Sequence, residues 1–426
     1  MMAIVDCNSF YCSCEKVFKP ALEHSPVVVL SNNDGCIIAR SDEAKALGLN
    51  MTGPYFMAKP ILEQHDVAVF SSNYNLYGDM SRRVMDVLKH FVGEENVEVY
   101  SVDEAFLTLD DFKPEQLLKF ATDIRYTVEK WTGVHVSIGI AATKTLAKMV
   151  NRVAKANKRI TNCVMVLETE QQLTKLLKST PVGDIWGIGS RYADKLKSLE
   201  ILTAWDLSKM SEEWARTHMG GVVGVRLIKE LNGQEAIVMK DQLVTKKVIA
   251  TTRMFGKVVT NFKDIQEAVA TYTARAAEKL RRQQSAARII EVFLISQEKI
   301  DSPRFKHGPT ASVSKILLQP TSCTNELIKP VVQMAEQLFQ EGKKYKNAGV
   351  ILSGLVPDDS IQANMFAEGK GSAGRYLMDM VDNINFSMRD DIVKFASSGT
   401  GKRWRMQQNF HSPRYTTRWD EIPEVK

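Results

Sequence analysis

The chain has 426 residues, 44% of them hydrophobic and 25% charged, with a net charge of +6. That is the make-up of a globular protein of several domains; it excludes a disordered chain, a collagen-like fibre and a small disulfide scaffold. No apolar run approaches the ~18–20 residues that cross a bilayer, and Met1–Phe10 lacks the basic start and apolar stretch of a secretory signal. A cytoplasmic location without a membrane partner is expected. The six cysteines form no pair of Cys-x-x-Cys motifs and the seven histidines sit at no zinc spacing, which argues against structural zinc.

In chain order, Ala3-Ile4-Val5 before Asp6 reads as a buried strand, and Val27–Leu30 as a second. Tyr74–Phe91 has helical periodicity. Val97–Leu109 reads as two strands joined tightly at Val102-Asp103-Glu104, Leu117–Trp131 as a helix and Val134–Ile140 as a strand before a basic helix. Apart from an inserted lobe at 20–70, this is the β-α-β-β-α-β order of a ferredoxin-like α+β unit, expected as an antiparallel sheet with two helices on one face. From about 168 short helices follow. A second α/β unit runs from Lys246 to about Leu355, with helix Ile265–Gln283 between strands Val248–Arg253 and Ile289–Ile295. The polar stretch 356–426 reads as a tail with short ordered pieces.

Asp6 ends the first strand, and Asp103 and Glu104 lie at the junction of the later pair. If those strands are neighbours the three carboxylates converge, provided a bend turns both members of the adjacent pair to one side. Converging carboxylates repel, and hard oxygen-seeking cations, Mg²⁺ beside phosphates, relieve this. Two such ions about 3.5–4 Å apart can hold both oxygens of a phosphoryl transfer. Taken singly, Asp6 or the Asp103-Glu104 pair reads rather as surface turn acids; together, at matching places on a ferredoxin-like half-barrel, they favour the metal site.

Between Ala141 and Ile160 lie six basic residues and no acid. On a helix, Lys144, Lys148 and Lys155 share a narrow arc with Arg152 nearby, while Leu146, Met149, Val150 and Val153 lie opposite. Such a row suits a triphosphate and a nucleic-acid backbone, although a solvated face has the same composition. Arg40 and Lys45 in the inserted lobe offer more phosphate contacts. Gly187-Ile188-Gly189, after Trp186, reads as a helix-hairpin-helix turn that offers backbone N–H groups to phosphate without choosing sequence.

Ile4-Val5-Asp6-Cys7-Asn8-Ser9-Phe10-Tyr11, Tyr100-Ser101-Val102-Asp103-Glu104-Ala105-Phe106 and Trp186-Gly187-Ile188-Gly189 resemble the Y-family translesion DNA polymerases. Ser31-Asn32-Asn33-Asp34-Gly35-Cys36, Phe70-Ser71-Ser72-Asn73-Tyr74 and Ser412-Pro413-Arg414-Tyr415-Thr416-Thr417-Arg418 narrow the resemblance to its UmuC-type branch, the catalytic subunits of bacterial DNA polymerase V. It spans nearly the whole chain. It implies a palm over 1–20 and 71–167, fingers over 21–70, a thumb with the hairpin over 168–240, a little finger over 245–355 and a UmuC-type tail over 356–426.

By the same resemblance, Asp6, Asp103, Glu104 and the carbonyl of Cys7 would bind two Mg²⁺ ions, and Tyr11 would be the steric gate against a ribose 2′-OH. Arg40, Lys45 and Lys155 would hold the triphosphate. Lys144, Lys148, Gly187, Ile188, Gly189 and, on one helix face, Arg275, Lys279 and Arg282 would meet DNA. Gln362-Ala363-Asn364-Met365-Phe366 resembles a sliding-clamp peptide with two leucines replaced, and the fingers tyrosine of many relatives is replaced near Asp42. The expected activity is error-prone, template-directed DNA synthesis in the SOS damage response. It would add dNTPs to primer–template DNA without proofreading, since nothing precedes the palm, in company with a processed UmuD′-type dimer, RecA and the β clamp. A nucleotidyl cyclase-like palm and a non-catalytic DNA scaffold are the alternatives.

Overall fold

The structure, a computed structural model, describes residues 1–239, 245–297, 308–361, 373–388, 391–401 and 403–424. The chain divides into two compact units, one of Met1–Ser31, Gly35–Gln242 and Phe410–Lys426, the other of Asn32–Asp34 and Leu243–Asn409. In the first, β1 (Met2–Cys7) leads into α1 (Phe10–Val17), and then come β2 (Val27–Leu30), β3 (Ile37–Arg40), α2 (Asp42–Ala46), α3 (Tyr55–Gln64) and β4 (Ala68–Ser71). There follow α4 (Tyr74–Val92), β5 (Val97–Val99), β6 (Glu104–Thr108), α5 (Pro114–Thr132), β7 (Val136–Ala141), α6 (Lys144–Ala156), α7 (Lys158–Thr161) and β8 (Val164–Val166).

The main sheet runs β5-β6-β1-β7-β8, with β1 antiparallel to both neighbours. This is the expected split β-α-β arrangement with one added edge strand. Alternation along β1 decides how the sheet is covered. Ala3, Val5 and Cys7 pack in one core with Met80, Val84 and Leu88 of α4 and Leu117, Ile124 and Val128 of α5. Met2 and Ile4 pack in a second core with Leu146, Met149 and Val150 of α6. Asp6 has the parity of Met2 and Ile4 and so belongs to the α6 side. Side-chain caps fix the helix starts: Asn73 accepts from the Leu76 N–H for α4 and Thr143 from the Leu146 N–H for α6. The inserted lobe is a small sheet in the order β3-β2-β4 with its own core of Val28, Leu30, Ile37, Leu49, Leu62 and Val67.

Short helices α8 (Glu170–Ser179), α9 (Ser190–Ser198), α10 (Ala204–Ser208), α11 (Glu212–His218) and α12 (Val222–Leu231) complete this unit, and several of them share the α6 core. The second unit contains β9 (Ile249–Val259), α13 (Phe262–Arg282), β10 (Ser285–Ser296), β11 (Thr310–Thr321), α14 (Thr324–Leu338), β12 (Tyr345–Pro357) and α15 (Ala373–Ser387). Its four antiparallel strands run β11-β10-β12-β9, with a core shared by α13 and α14.

The polar composition of the C-terminal stretch understates its order. Trp404 is buried in the core of the second unit, and Ser412, 3% exposed, is buried in the first.

Candidate active site

The bend that the sequence requires is present. The N–H groups of Tyr100 and Ser101 both donate to the carbonyl of Glu104, at 3.0 Å each, closing β5 onto β6 in a tight turn. Asp103 lies in this turn and Glu104 begins β6. Register sets Glu104 directly opposite Asp6 on β1, and the Cys7 N–H donates to the carbonyl of Asp103 at 2.8 Å. The Ser101 hydroxyl donates to Asp103 Oδ1 at 2.6 Å. Burial raises Asp6 to about 6; Lys155 opposes this, and the charges of Glu104 and Asp103 add to it. The three acids therefore sit close enough to feel one another.

Each carboxylate already has a partner. Lys155 pairs with Asp6. Lys148 reaches both oxygens of Glu104, at 3.0 and 3.1 Å. Among the described residues no three His, Cys, Asp or Glu side chains gather as a ready cage for an ion. The donor set nonetheless suits a divalent cation. It is all oxygen, and its most buried member, Asp6, is raised chiefly by burial, with the charges of Glu104 and Asp103 adding to it, a cost to the carboxylate that a dication offsets.

The lysine row of α6 differs from expectation. Lys144 is 1% exposed, paired with the buried Glu98 of β5, and donates to the Val238 carbonyl at 3.0 Å. It cannot reach a DNA backbone, because β5 and the chain near Val238 close over the start of α6. Lys148 lies 4.5 Å from the Tyr100 ring and 5.3 Å from that of Trp186, and Arg152 pairs with Asp184 at 2.8 Å. What periodicity suggested as a free cationic face is a series of ion pairs. The pairing of Lys148 with Glu104 was not foreseen; the signal was available, since Lys148 and Lys155 are two turns apart and Asp6 and Glu104 are cross-strand neighbours.

In the inserted lobe, Lys45 donates to Ser9 Oγ at 3.1 Å and to Asp42 Oδ1 at 2.7 Å. Lys158 also pairs with Asp42. Burial works against it, but hydrogen bonds from Lys158 and Lys45 hold Asp42 at about 2. Asp42 thus gathers two cations. Arg40 bonds the Leu49 carbonyl, a contact internal to the lobe.

Tyr11 stacks on Tyr77 with ring centres 4.6 Å apart and meets the edge of Tyr74 at 6.1 Å. Its hydroxyl is made less acidic by burial and by the charges of Tyr74 and Asp103. At the hairpin, Gly187 has φ 92°, open only to glycine without strain, and Gly189 caps α9. Ile188 is buried, so the turn presents backbone.

In the second unit, Arg275 pairs with Asp391 at 2.8 Å and Arg282 with Glu278 at 2.6 Å. Burial and the neighbouring charges of Lys246, Arg253 and Arg275 lower Lys279. A cluster of positive charge exists there, but Arg275 and Arg282 are tied to acids. The clamp-like stretch Gln362, Ala363, Asn364, Met365, Phe366 lies outside the described residues.

A carboxylate pair across the central strands of a split β-α-β sheet, with an inserted lobe, a helical hairpin region and a second antiparallel unit, is the architecture of a Y-family polymerase. A Y-family DNA polymerase chimera of Dbh and Dpo4 superposes with a TM-score of 0.64, at 19% identity, over 84% of this chain and 99% of its own. An insertion ternary complex of Dbh DNA polymerase gives 0.55 at 20% identity, over 84% and 99%.

The profile of the impB/mucB/samB family matches residues 5–152, that of its C-terminal domain 246–365 and the IMS family HHH motif 171–201. A domain of unknown function, DUF4113, matches 375–425. Protein UmuC of Salmonella typhimurium is 41% identical over 429 residues, covering 100% of both chains. Protein MucB of Escherichia coli is 35% identical, covering 99% of each. DNA polymerase IV 1 of Bacillus subtilis is 26% identical over 92% of this chain and 91% of its own. The chain belongs to the impB/mucB/samB family of Y-family DNA polymerases. Among the described residues no helix is long and apolar enough to cross a membrane.

Proposed function

We propose that Asp6, Asp103 and Glu104 form the site at which this translesion DNA polymerase joins a dNTP to a primer 3′-OH. The observation that carries this reading is the cross-strand pairing of Asp6 with Glu104, with Asp103 one residue away in the turn. Membership of the family implies a reaction that depends on divalent metal. These three side chains, with the Cys7 carbonyl, would hold Mg²⁺. When bound, such ions neutralise developing charge and polarise the phosphoryl group.

The remaining residues bind and orient. Lys155, paired with Asp6, and Lys45, bonded to Ser9 and Asp42, would offer cations to a triphosphate together with Arg40 of the lobe. Tyr11, propped on Tyr77, is proposed as the gate that leaves no room for a ribose 2′-OH. The backbone of Gly187-Ile188-Gly189 and the positive cluster around Lys279, with Arg275 and Arg282 on the same helix, would meet phosphates of primer–template DNA. Lys148 acts on Glu104 rather than on DNA. A cyclase or an inert scaffold is not favoured, since the family match extends through the hairpin and the C-terminal domain. Error-prone synthesis in the SOS response, a cytoplasmic setting, and a UmuD′-type dimer, RecA and the β clamp as partners follow from the same reading.

The test is Asp103→Asn, which keeps the size and the Ser101 contact but removes a charge. Primer extension should fall by at least about a hundredfold, the scale of losing one preorganised electrostatic group, while DNA affinity by fluorescence anisotropy stays within about twofold. Primer extension at the parent's rate would remove Asp103 from the site.

A further inference from the structure

The gate does not end at Tyr11. Its ring lies on that of Tyr77, 20° from parallel, and Tyr77 is 1% exposed. A buried phenol needs a partner for its hydroxyl. Tyr77 donates to Glu15 Oε1 at 2.7 Å, and that same oxygen accepts from the hydroxyl of Ser412 at 2.9 Å. Glu15 is itself fully buried and stands one helical turn after Tyr11 on α1. Glu15 thus joins the ring beneath the gate to a residue 397 positions away in sequence.

Ser412 is held in turn. The Asn73 side-chain N–H group donates to the Ser412 carbonyl at 3.1 Å, the Ser412 hydroxyl at 3.0 Å and the Pro413 carbonyl at 3.1 Å. The Tyr77 N–H donates to the Asn73 carbonyl at 3.0 Å, so the residue that grips the C-terminal segment also begins the helix turn carrying Tyr77. On either side, the Ser71 N–H donates to the Phe410 carbonyl at 2.9 Å, and Tyr415 stacks on Phe18 at 4.7 Å. Apart from Glu15 Oε2, which is buried with no hydrogen-bond partner among the described residues, the groups of this network are matched, and such matching fixes side-chain position more tightly than apolar packing alone.

We propose that the C-terminal segment, through Ser412, Glu15 and Tyr77, positions the aromatic ring behind Tyr11 and thereby sets how strictly the polymerase refuses ribonucleotides. Ser412 is a positioning residue: its partners are Glu15 and Asn73, not Asp6, Asp103 or Glu104. This assigns a task in sugar selection to the end of the stretch matched by DUF4113. It rests on the reading of Tyr11 as the gate.

The experiment measures kcat and KM for insertion of one dNTP and the matching rNTP by the full chain on a primer–template. It compares Ser412→Ala, Tyr11→Ala, the double variant and Glu15→Gln. Tyr11→Ala should abolish most sugar discrimination. Ser412→Ala should lower it about fivefold, the factor that one hydrogen bond's net worth carries. The change should appear in the KM for the rNTP, with the kcat for the dNTP held within about twofold of the parent. In the Tyr11→Ala background Ser412→Ala should add nothing, because coupled residues are not additive. Glu15→Gln, whose amide oxygen can accept both hydrogen bonds, should keep discrimination close to the parent's.

If Tyr11→Ala loses discrimination and Ser412→Ala does not, the positioning role is overturned and the gate stands. If neither variant changes it, the gate reading fails and takes this inference with it. An equal effect of Ser412→Ala in both backgrounds, or an equal loss for dNTP and rNTP, would show an ordinary loosening of the fold and overturn the proposal.

Discussion

Lys144 offers the sharpest contrast between a cation that binds DNA and one that holds the protein together. Its side chain is 1% exposed and that of its partner Glu98 7%, and the ammonium group lies 5.0 Å from the Phe106 ring. Lys144→Met keeps much of the stem volume but takes the Lys144 ammonium group away from the buried Glu98 carboxylate. Losing one member of a buried pair costs about 3–5 kcal/mol. Replacing both members, Lys144→Met with Glu98→Leu, should recover most of that, because the desolvation cost of both charges disappears. Urea unfolding of the full chain measures the first effect. Titrating DNA affinity against salt measures the second. A lysine that neutralised a phosphate would lower the slope of log K against log salt by about 0.9 when removed; here the slope should not change. A single variant destabilised by less than about 1 kcal/mol, or a slope reduced by about 0.9, would refute the buried-pair account and return Lys144 to the DNA surface.

Gly139 on β7 lies against α6 so closely that a Cβ there would come 2.3 Å from the Asn151 nitrogen and 2.5 Å from the Ala147 carbonyl oxygen. Gly139→Ala should therefore push α6 outward, costing at least about 1–3 kcal/mol and slowing single-turnover insertion as Lys148 and Lys155 lose their register with Glu104 and Asp6; a variant with the parent's urea midpoint would contradict this packing. Burial holds Glu15 above the ordinary carboxylate range, against hydrogen bonds from Tyr77 and Ser412 that lower it. The folded state then binds the proton more tightly than the unfolded one, so ionisation of Glu15 subtracts stability as pH rises through its folded value. Glu15→Gln should gain on the parent in melting temperature as pH rises above the ordinary carboxylate range, and a difference that does not vary with pH would show that Glu15 is not perturbed.

Much of the scaffold was legible because it is written in local periodicity. Helix α4 is expected at Tyr74–Phe91 and found at Tyr74–Val92, since its apolar spacing and the capping Asn73 are both sequence-local signals. Asp6 and the Asp103-Glu104 pair could be brought together on paper because strand order in a split β-α-β unit makes their strands neighbours. What periodicity cannot tell is what stands opposite a helix face. The arc carrying Lys144, Lys148 and Lys155 is real, but Glu98, Glu104 and Asp6 lie along it, and those partners come from strands distant in sequence. On α13, Arg275 and Arg281 are likewise tied to acids about a hundred positions away, Asp391 and Asp382, while Arg282 pairs with Glu278 one turn back on its own helix.

The burial of residues within the C-terminal segment escapes the sequence for a related reason. Few apolar residues and weak periodicity ordinarily mean solvent, because a chain that buries little apolar surface does not recover its conformational entropy. Here order comes from polar groups that satisfy one another. Asn73 has three acceptors in Ser412 and Pro413, and Glu15 two hydroxyl donors. A buried donor or acceptor left without its partner costs about 1–3 kcal/mol. Such a network therefore orders a segment by penalising its departure, and that penalty depends on residues hundreds of positions away. Sequence windows register hydrophobic gain, which is local and additive. They miss polar satisfaction, which exists only once both partners are in place, and in this polymerase the buried polar chain from Ser412 reaches the ring on which Tyr11 lies.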